Sequence, residues 1–536
     1  MPTDHPSRDD SPSRSSGRLL LKSTSIVSLM TLLSRILGLV RDVVFARLFG
    51  ASIVMDAFIV ANRIPNMLRR FFGEGAFSQG FVPVMARYRE RHGHDEAQEF
   101  VDAVAGTFGL LLFLVTLVGV VAAPILVTLV APGFVGDDGS FDLATAMLRF
   151  TFPYLFFVSL TAFAAGILNS YGKFAAAAFT PVILNVVLIS AALWLAPRID
   201  EPGMALAYGV FAAGFVQLLF QLPFLAKVHL IPRPRWHIRH DGVRRVGKLM
   251  LPAIFGSSVA QINVLLGGVI ASFLGVGKIS LLYYSDRLME FPLGLFGIAL
   301  ATVTLPALSR QHANQSSSDF SETVDWSMKL VLLIALPAAV GLIVLAEPLV
   351  ATIFYGGEFS ALDVELTALA LQAFAIGLVG FSYVKILAPA FFAREDTKTP
   401  VRIGVVALVV NFLLSVVFAV WLTRAGSNAA HVGLALATSI AALLNAALLY
   451  RGLRQERVLR HGSGWPLLTL RVVIANAAMI ACLVYLHRPL DWWLAGSIMQ
   501  RVGWLGLAVT AGVIAYFAVL VVAGVRLSAF RLHARG

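Results

Sequence analysis

Charged residues are scarce in this sequence. Only 13% of the 536 residues are Asp, Glu, Lys or Arg, whereas 58% are hydrophobic. A soluble protein of this length needs many charged residues on its surface, and this chain has too few of them. The shortage excludes an ordinary soluble globular protein and indicates that lipid surrounds most of the chain.

Cysteine is nearly absent as well, because Cys482 is the single one in the chain. This excludes a disulfide framework and a cysteine-based metal site. The 11 histidines are scattered through tails and loops without metal-ligand spacing, and no Walker-type glycine loop is found. The sequence therefore predicts no metal, no cofactor and no catalytic residues, so that the protein is not an enzyme and ATP is not its direct energy source.

Basic residues outnumber acidic ones, and the formal net charge is +12. Most Lys and Arg residues lie in short loops between apolar runs, which fits an anionic membrane face better than a nucleic acid. Residues 1–22 are polar and rich in Ser and Pro, so we expect a disordered cytoplasmic tail there. The tail is not a signal peptide, because the apolar run that follows it is too long.

Apolar segments long enough to cross ~30 Å of hydrocarbon recur along the chain. Loops that alternate between basic and Lys/Arg-poor separate them, which places both termini in the cytoplasm by the positive-inside rule. The sequence thus predicts an all-α polytopic membrane protein with 14 transmembrane helices. The predicted spans are 24–47, 53–87, 102–131, 143–170, 178–196, 204–226, 249–274, 280–308, 327–354, 365–391, 401–422, 432–452, 466–486 and 500–523.

Similar segments recur roughly 220 residues apart. The stretch "AAPILVTLVAPGF" (122–134) resembles "AEPLVATIFYGGEF" (346–359), and two further pairs align Pro181 with Pro400 and Pro83 with Pro306. Parallel repeats of this kind place a transport site between the two halves. The alternative, that Pro and small residues recur by chance in any polytopic protein, stays open.

The repeat predicts two pseudo-symmetric lobes of six spans each. The predicted divisions are an N-lobe over 23–226 (spans 1–6), a basic cytoplasmic linker over 227–248, a C-lobe over 249–455 (spans 7–12), and residues 456–536 with spans 13 and 14 and a cytoplasmic tail.

Several charged residues lie inside predicted spans. On a helical projection of the first span, Arg35, Arg41 and Asp42 share one polar arc with Ser34 and Gly38. Each charge at the bilayer centre costs ~2.5–3.5 kcal/mol, so this polar stripe is expected to face protein or water. The second and eighth spans carry further polar residues, namely Asp56, Asn66, Arg69, Arg287 and Glu290.

Two interpretations of these charges remain open. In the first, Asp42 and Glu290 neutralise neighbouring arginines in structural ion pairs, an interpretation favoured for Arg47, Arg63 and Arg70. In the second, four arginines converge on a cavity between the lobes and bind an anion, because the planar guanidinium suits phosphate oxygens. Those four are Arg35, Arg41, Arg69 and Arg287.

Three stretches carry a family resemblance: "SRILGLVRDVVFARLFG", "DAFIVANRIPNMLRRFFGEGAFSQGFVPV" and "YYSDRLMEFPLGLFGIALATVTLPALS". They resemble the MurJ (MviN) family of bacterial lipid II flippases, within the multidrug/oligosaccharidyl-lipid/polysaccharide exporter superfamily. The likeness covers nearly the whole chain, and the motif "GEGAFSQGFVP" is highly specific. The polar N-terminal tail is longer than the family pattern needs.

The resemblance implies a V-shaped pair of lobes around a central cationic cavity, with spans 13 and 14 forming a groove for a polyprenyl tail. It also implies a monomer in the bacterial inner membrane, surrounded by membrane lipids, that moves lipid II to the periplasmic leaflet by alternating access. The positions important in the family fall on Arg35, Arg41, Asp56, Asn66, Arg69, Arg287 and Glu290. The alternative is a flippase for another polyprenyl-pyrophosphate-linked oligosaccharide.

Overall fold

The computed structural model describes residues 12–70, 76–91, 93–136, 139–314, 316–460, 462 and 464–525, without the side chains of 12–25, 76, 252–260 and 295–305. Regular structure in these ranges is helical apart from one isolated bridge between Gly356 and Phe359. The α-helices are α1 (Pro12–Phe49), α2 (Ile53–Arg69), α3 (Ala76–Arg91), α4 (Gly93–Val121), α5 (Ala123–Val130), α6 (Ser140–Thr151), α7 (Tyr154–Ser170), α8 (Phe174–Ser190), α9 (Met204–Lys227), α10 (Asp241–Ser272), α11 (Lys278–Ala313), α12 (Ser317–Val344), α13 (Ala346–Ile353), α14 (Ala361–Ile376), α15 (Leu378–Phe392), α16 (Lys398–Arg424), α17 (Ala430–Gln455), α18 (Trp465–Tyr485), α19 (Leu490–Ala495) and α20 (Ile498–Val522).

Within the described ranges, 10 helical segments are long and apolar enough to cross a membrane. They confirm the prediction of an all-α, multi-pass membrane protein. The predicted spans 24–47, 53–87, 249–274 and 280–308 correspond to α1, α2 with α3, α10 and α11, which are not among those 10. The count of 14 spans therefore stays a prediction.

The structure differs from the sequence prediction at the N-terminal tail. Helix α1 begins at Pro12, so residues 12–22, for which the composition predicts disorder, are helical. The apolar run Leu19, Leu20 and Leu21 adjoins the first span, and extending an existing helix is much easier than nucleating one. Residues 1–11, and residues 71–75 within the family motifs, lie outside the described part of the chain.

The order of helices repeats between the two halves of the chain. In the first half, the 29-residue α4 is followed by the eight-residue α5 and then by the consecutive helices α6 and α7. In the second half, the 28-residue α12 is followed by the eight-residue α13 and then by α14 and α15. This order supports the internal repeat, while the predicted lobe boundaries stay a prediction.

The described part of the chain divides into two compact units. Unit 1 takes residues up to Val44, Ala61–Ala123 and Ala146–Phe255. Aromatic rings from α3, α4 and α7 form the centre of its core, where Phe77 stacks on Phe108 with ring centroids 4.5 Å apart and meets Phe163 edge-on. Large rings fill this space at low conformational cost and fix the three helices against one another.

Part of the basic linker is fastened to α4 in unit 1. The buried Asp102 carboxylate accepts a hydrogen bond from the Arg233 backbone N–H at 2.8 Å, and the Arg235 N–H donates to the Asp102 carbonyl at 3.0 Å. Gly106 makes this approach feasible, because a Cβ there would lie 2.2 Å from the Arg235 carbonyl oxygen. The linker backbone thus lies directly on the helix.

Unit 2 takes Phe45–Val60, Pro124–Thr145 and the residues from Gly256 onward. One of its cores lies between α11, α12, α15 and α17, and another joins α12 to α18 and α20. The Tyr516 hydroxyl on α20 donates to the Leu333 carbonyl on α12 at 2.8 Å. The buried Arg501 side chain donates to the carbonyls of Ala351 at 3.3 Å and Leu494 at 2.9 Å. The last long helices are therefore firmly attached to the unit.

We expect Gly106→Ala to destabilise unit 1 by about 1–3 kcal/mol, because the added methyl group collides with linker backbone that has little room to move. Gly109, one turn further along α4, is the matched control, since a Cβ there meets nothing within 4 Å. Gly109→Ala should be neutral or stabilising by up to ~1 kcal/mol. Thermal unfolding of both purified variants in one detergent checks this; equal melting temperatures would contradict the close contact.

Candidate functional site

The polar stripe of α1 carries two of the predicted arginines in different surroundings. The Arg35 side chain is exposed, whereas Arg41 forms an ion pair with the buried Asp42. The guanidinium donates to Asp42 Oδ1 from Nη2 at 2.7 Å and from Nε at 3.0 Å. Charge-assisted bonds of this kind are stronger than neutral ones, and they fix one edge of the guanidinium.

The other edge of Arg41 contacts α8. Its Nη1 donates to the Asn185 Oδ1 at 3.1 Å, and the Asn185 Nδ2 donates to the Ser34 carbonyl at 3.0 Å. The stripe therefore faces protein at Ser34 and Arg41, as the cost of a charge in lipid predicts. Sequence reasoning missed Asn185, although a lone amide in the apolar run "TPVILNVV" is the kind of polar residue that bonds across membrane helices.

Asp56, near the start of α2, serves as an N-terminal cap for a distant helix. Its carboxylate is 2% exposed and accepts hydrogen bonds from the Gly277 N–H at 2.6 Å, from the Ser280 N–H at 2.8 Å and from the Ser280 hydroxyl. These donors belong to the first turn of α11, where unpaired N–H groups and the helix dipole favour an anion. A direct contact of Asp56 with substrate stays a prediction.

Further along α2, Asn66 and Arg69 are three residues apart and half-buried, so they share one face of the helix. The boundary between the two units falls inside α2, with Asp56 in unit 2 and these two residues in unit 1. Of the other arginines in this segment, Arg63 is half-buried and Arg70 is exposed.

Arg287 and Glu290 form an ion pair on α11 in unit 2. The distance from Arg287 Nη1 to Glu290 Oε2 is 3.0 Å, and the guanidinium also lies 5.0 Å from the centre of the Tyr283 ring. Both side chains are well exposed, so solvent screens the pair and leaves it little stabilising energy. Both Arg41 and Arg287 thus have a carboxylate neighbour, as the ion-pair interpretation predicts, and binding of an anion by either stays a prediction.

In unit 2, segments from the two halves of the sequence lie in close backbone contact; we call this contact the junction. The Glu358 N–H donates to the Arg47 carbonyl at 2.9 Å, and the Gly133 N–H donates to the Ser272 hydroxyl at 3.0 Å. The backbone of Gly277 has a φ of 82°, and a Cβ there would lie 2.6 Å from the Ala51 carbonyl oxygen. Only glycine satisfies both conditions without strain.

A cavity of about 270 Å³ lies at this junction. Asp56 and Ser272 contribute polar groups to its wall, and Phe134, Val135, Phe273 and Val276 contribute apolar ones. The cavity therefore borders the same contacts that join the two halves. In the described part of the chain, no three His, Cys, Asp or Glu side chains are grouped closely enough to hold a metal ion.

A family model described as "Lipid II flippase MurJ" matches residues 45–502. The chain belongs to the MurJ family. It is 47% identical to a probable lipid II flippase MurJ from Vibrio cholerae, over 95% of this chain and 97% of that one. It is 40% identical to the lipid II flippase MurJ of Burkholderia cenocepacia, over 96% of this chain and 100% of that one.

The fold is also similar to solved structures. A lipid II flippase MurJ in an inward closed conformation matches with a TM-score of 0.75 and 26% identity, over 92% of this chain and 98% of that one. An inward-facing multidrug transporter of the MATE family matches with a TM-score of 0.64 and 16% identity, over 81% of this chain and 98% of that one. The second likeness concerns the fold alone, which MurJ family members share with transporters of other substrates.

We expect Asp56→Ala to loosen the start of α11, because it leaves three donors without their acceptor. Loss of an N-terminal cap costs about 0.5–2 kcal/mol, so hydrogen exchange of residues 278–281 should become faster. Asp56→Asn, which keeps one acceptor oxygen, should give an intermediate rate.

The control for this experiment is Asp363→Asn. Asp363 caps α14 in the same unit, where its carboxylate accepts from the Ser360 N–H at 2.8 Å. That substitution should speed exchange in α14. The Asp363 carboxylate interacts with the charge of Lys278, but its hydrogen bonds go to Ser360. The bonds from Gly277 and Ser280 to Asp56 therefore stay, and exchange at Ser280 should not change. Unaltered exchange of residues 278–281 in Asp56→Ala would show that the carboxylate does not hold α11.

Proposed function

We propose that this chain is a lipid II flippase, which moves the polyprenyl-pyrophosphate-linked peptidoglycan precursor from the cytoplasmic to the periplasmic leaflet. The observation that carries the proposal is the charged face of α1, where hydrogen bonds to Asp42 and Asn185 hold Arg41 in place on the polar stripe. Its relatives are named as lipid II flippases, and a diphosphate headgroup is the kind of ligand that arginine recognises.

In this proposal the headgroup diphosphate binds Arg35, Arg41, Arg69 and Arg287. Asp56 and Asn66 contact the sugar or control opening, Glu290 belongs to the same substrate site, and the polyprenyl chain lies in lipid along α18 and α20. The lobes follow the repeat predicted from the sequence, with 23–226 and 249–455 moving against each other. Since nothing in this scheme requires a covalent step, the chain acts as a transporter and not as an enzyme.

The junction in unit 2 supports alternating access. It joins the end of α1 and the start of α2 in the first half to the start of α11 and the loop that contains Glu358 in the second half. The repeat assigns these segments to different lobes. With both termini in the cytoplasm they lie on the periplasmic side, so the junction would close that side while the headgroup enters from the cytoplasm.

The remaining parts of the proposal concern location and partners. The protein would act as a monomer in the inner membrane of a bacterium, with lipid II and membrane lipids as partners and without nucleic acid. The second candidate is a flippase for another polyprenyl-pyrophosphate-linked oligosaccharide, because such a lipid presents the same diphosphate to the same arginines.

Depletion of the protein in its own cells should trap lipid II in the cytoplasmic leaflet. Expression of wild-type protein should restore outward transport, whereas Arg41→Ala should not, at an unchanged protein level. Arg424→Ala, a change of an exposed arginine at the end of α16, is the matched control and should restore transport. The measurement is leaflet-specific labelling of lipid II.

Three other outcomes of that experiment have distinct meanings. Accumulation of a different lipid-linked saccharide would favour the second candidate. Loss of the Arg41→Ala protein itself would show that Arg41 serves mainly in a structural ion pair. Full transport by Arg41→Ala would overturn the proposed role of this arginine.

Membrane potential should accelerate transport. A charge that crosses the full field gains ~2.3 kcal/mol per 100 mV, so an inside-negative potential drives the anionic headgroup outward and returns the empty cationic site inward. Proteoliposomes with a valinomycin-imposed potassium potential test this, with equal potassium on both sides as the control. A flipping rate that ignores the potential would rule out electrical coupling.

A further inference from the structure

Asn185 occupies an unusual position for a polar residue. It lies in α8, is 5% exposed, and is surrounded along the helix by Val182, Ile183 and Val186. A buried amide is unfavourable in such a place unless both its ends are hydrogen-bonded. Here both ends are used, and both bonds go to α1.

The two partners of Asn185 are Ser34 and Arg41, which are seven residues apart on α1. Seven residues make about two helical turns, so both lie on the same face of the helix, with Gly38 between them. A Cβ at Gly38 would lie 3.9 Å from the Asn185 Nδ2, so the amide rests directly over this glycine. Asn185 thereby sets the rotation of α1 about its own axis through one bond and the direction of the Arg41 side chain through the other.

Asp42 and Asn185 bind different edges of the Arg41 guanidinium. Asp42 Oδ1 accepts hydrogen bonds from Nε and Nη2 on one edge. Asn185, on a second helix, accepts a hydrogen bond from Nη1 on the other edge. Because the guanidinium is planar, bonds on two of its edges define its plane, and Asn185 supplies one that comes from another helix.

We propose that Asn185 is the positioning residue of Arg41: it aims the guanidinium at the diphosphate of the lipid-linked substrate. This inference rests on the proposed function, because it assumes that Arg41 contacts the headgroup. Asn185 does not touch the substrate itself, and its effect on binding passes through Arg41.

A double-mutant cycle measures that dependence. The affinity for lipid II is determined in nanodiscs for wild type, Asn185→Ala, Arg41→Lys and the double variant, and Arg41→Ala is measured beside them. We expect Asn185→Ala to weaken binding about tenfold in the wild-type background, the size of effect that one well-placed hydrogen bond to a charged group produces. In the Arg41→Lys background it should have almost no further effect, because the group that it positions is gone.

A matched control separates positioning from loosening of α8. Gln221 on α9 is fully buried and donates to the Thr180 hydroxyl of α8 at 3.0 Å, so its hydrogen bond joins α9 to α8 and not α8 to α1. Gln221→Ala should leave lipid II affinity unchanged even if it lowers the melting temperature. If Asn185→Ala fails to fold, Asn185→Asp replaces it, because this variant keeps the shape of the side chain. The new carboxylate would compete with the diphosphate for Arg41, so this variant should weaken lipid II binding at least as much.

The outcomes distinguish this inference from the proposed function. If Arg41→Lys and Arg41→Ala both bind lipid II like wild type, the proposed site fails. If these variants lose binding but the effect of Asn185→Ala is additive, or Asn185→Ala binds like wild type, the positioning role is overturned and the site survives. If Gln221→Ala loses as much lipid II affinity as Asn185→Ala, the loss comes from altered packing of α8, and the positioning role is overturned as well.

Discussion

A charged group inside a membrane helix needs a partner from the protein, and this requirement organises the structure. The hydrophobic effect gives little reason for one membrane helix to prefer another, since lipid tails are as apolar as leucine. Polar contacts therefore specify which faces meet. Arg41 connects α1 to α8, Asp56 connects α2 to α11, and Arg501 connects α20 to backbone carbonyls near α13 and α19.

The sequence predicted which face of a helix is buried more easily than it predicted which other helix packs on that face. Period and composition were enough to place Arg41 and Asp42 on a stripe that avoids lipid, because the cost of exposing them there is large. The partners of these stripes could not be predicted in the same way. Asn185 is 144 residues from Arg41 and Ser280 is 224 residues from Asp56, and a helical period carries no information over such separations.

Apolar runs and motifs were likewise enough to predict the all-helical fold class, the internal repeat and the family. The helical start of α1 at Pro12 was not, since its composition is that of a flexible tail and only its continuity with the apolar segment favours a helix. The sequence also could not predict that Asp56 caps α11. A carboxylate in a polar helical segment gives no sign of whether it serves a ligand or a distant helix.

Ion pairing and anion binding are compatible at the same arginine. An arginine that already has a carboxylate neighbour is stable when the site is empty, which a transporter needs for half of its cycle. A diphosphate brings more negative charge than one carboxylate and approaches donors that are already oriented. The buried pair Arg41–Asp42 would thus stabilise the proposed site while it is empty, whereas the exposed pair Arg287–Glu290 would contribute little.

The junction in unit 2 combines main-chain groups with polar and aromatic side chains, and glycine lies at the crossing points. The buried Tyr284 ring packs there against Phe354 and Phe359, so separating these segments would expose aromatic surface as well as break hydrogen bonds. On a water-facing surface, each released N–H and C=O group immediately finds a water molecule in place of its former partner. If the proposed transport cycle opens this junction, water would replace its hydrogen bonds, and the cost of opening would come mainly from the packed side chains. A bound headgroup or an electric field would then have to supply that difference in free energy.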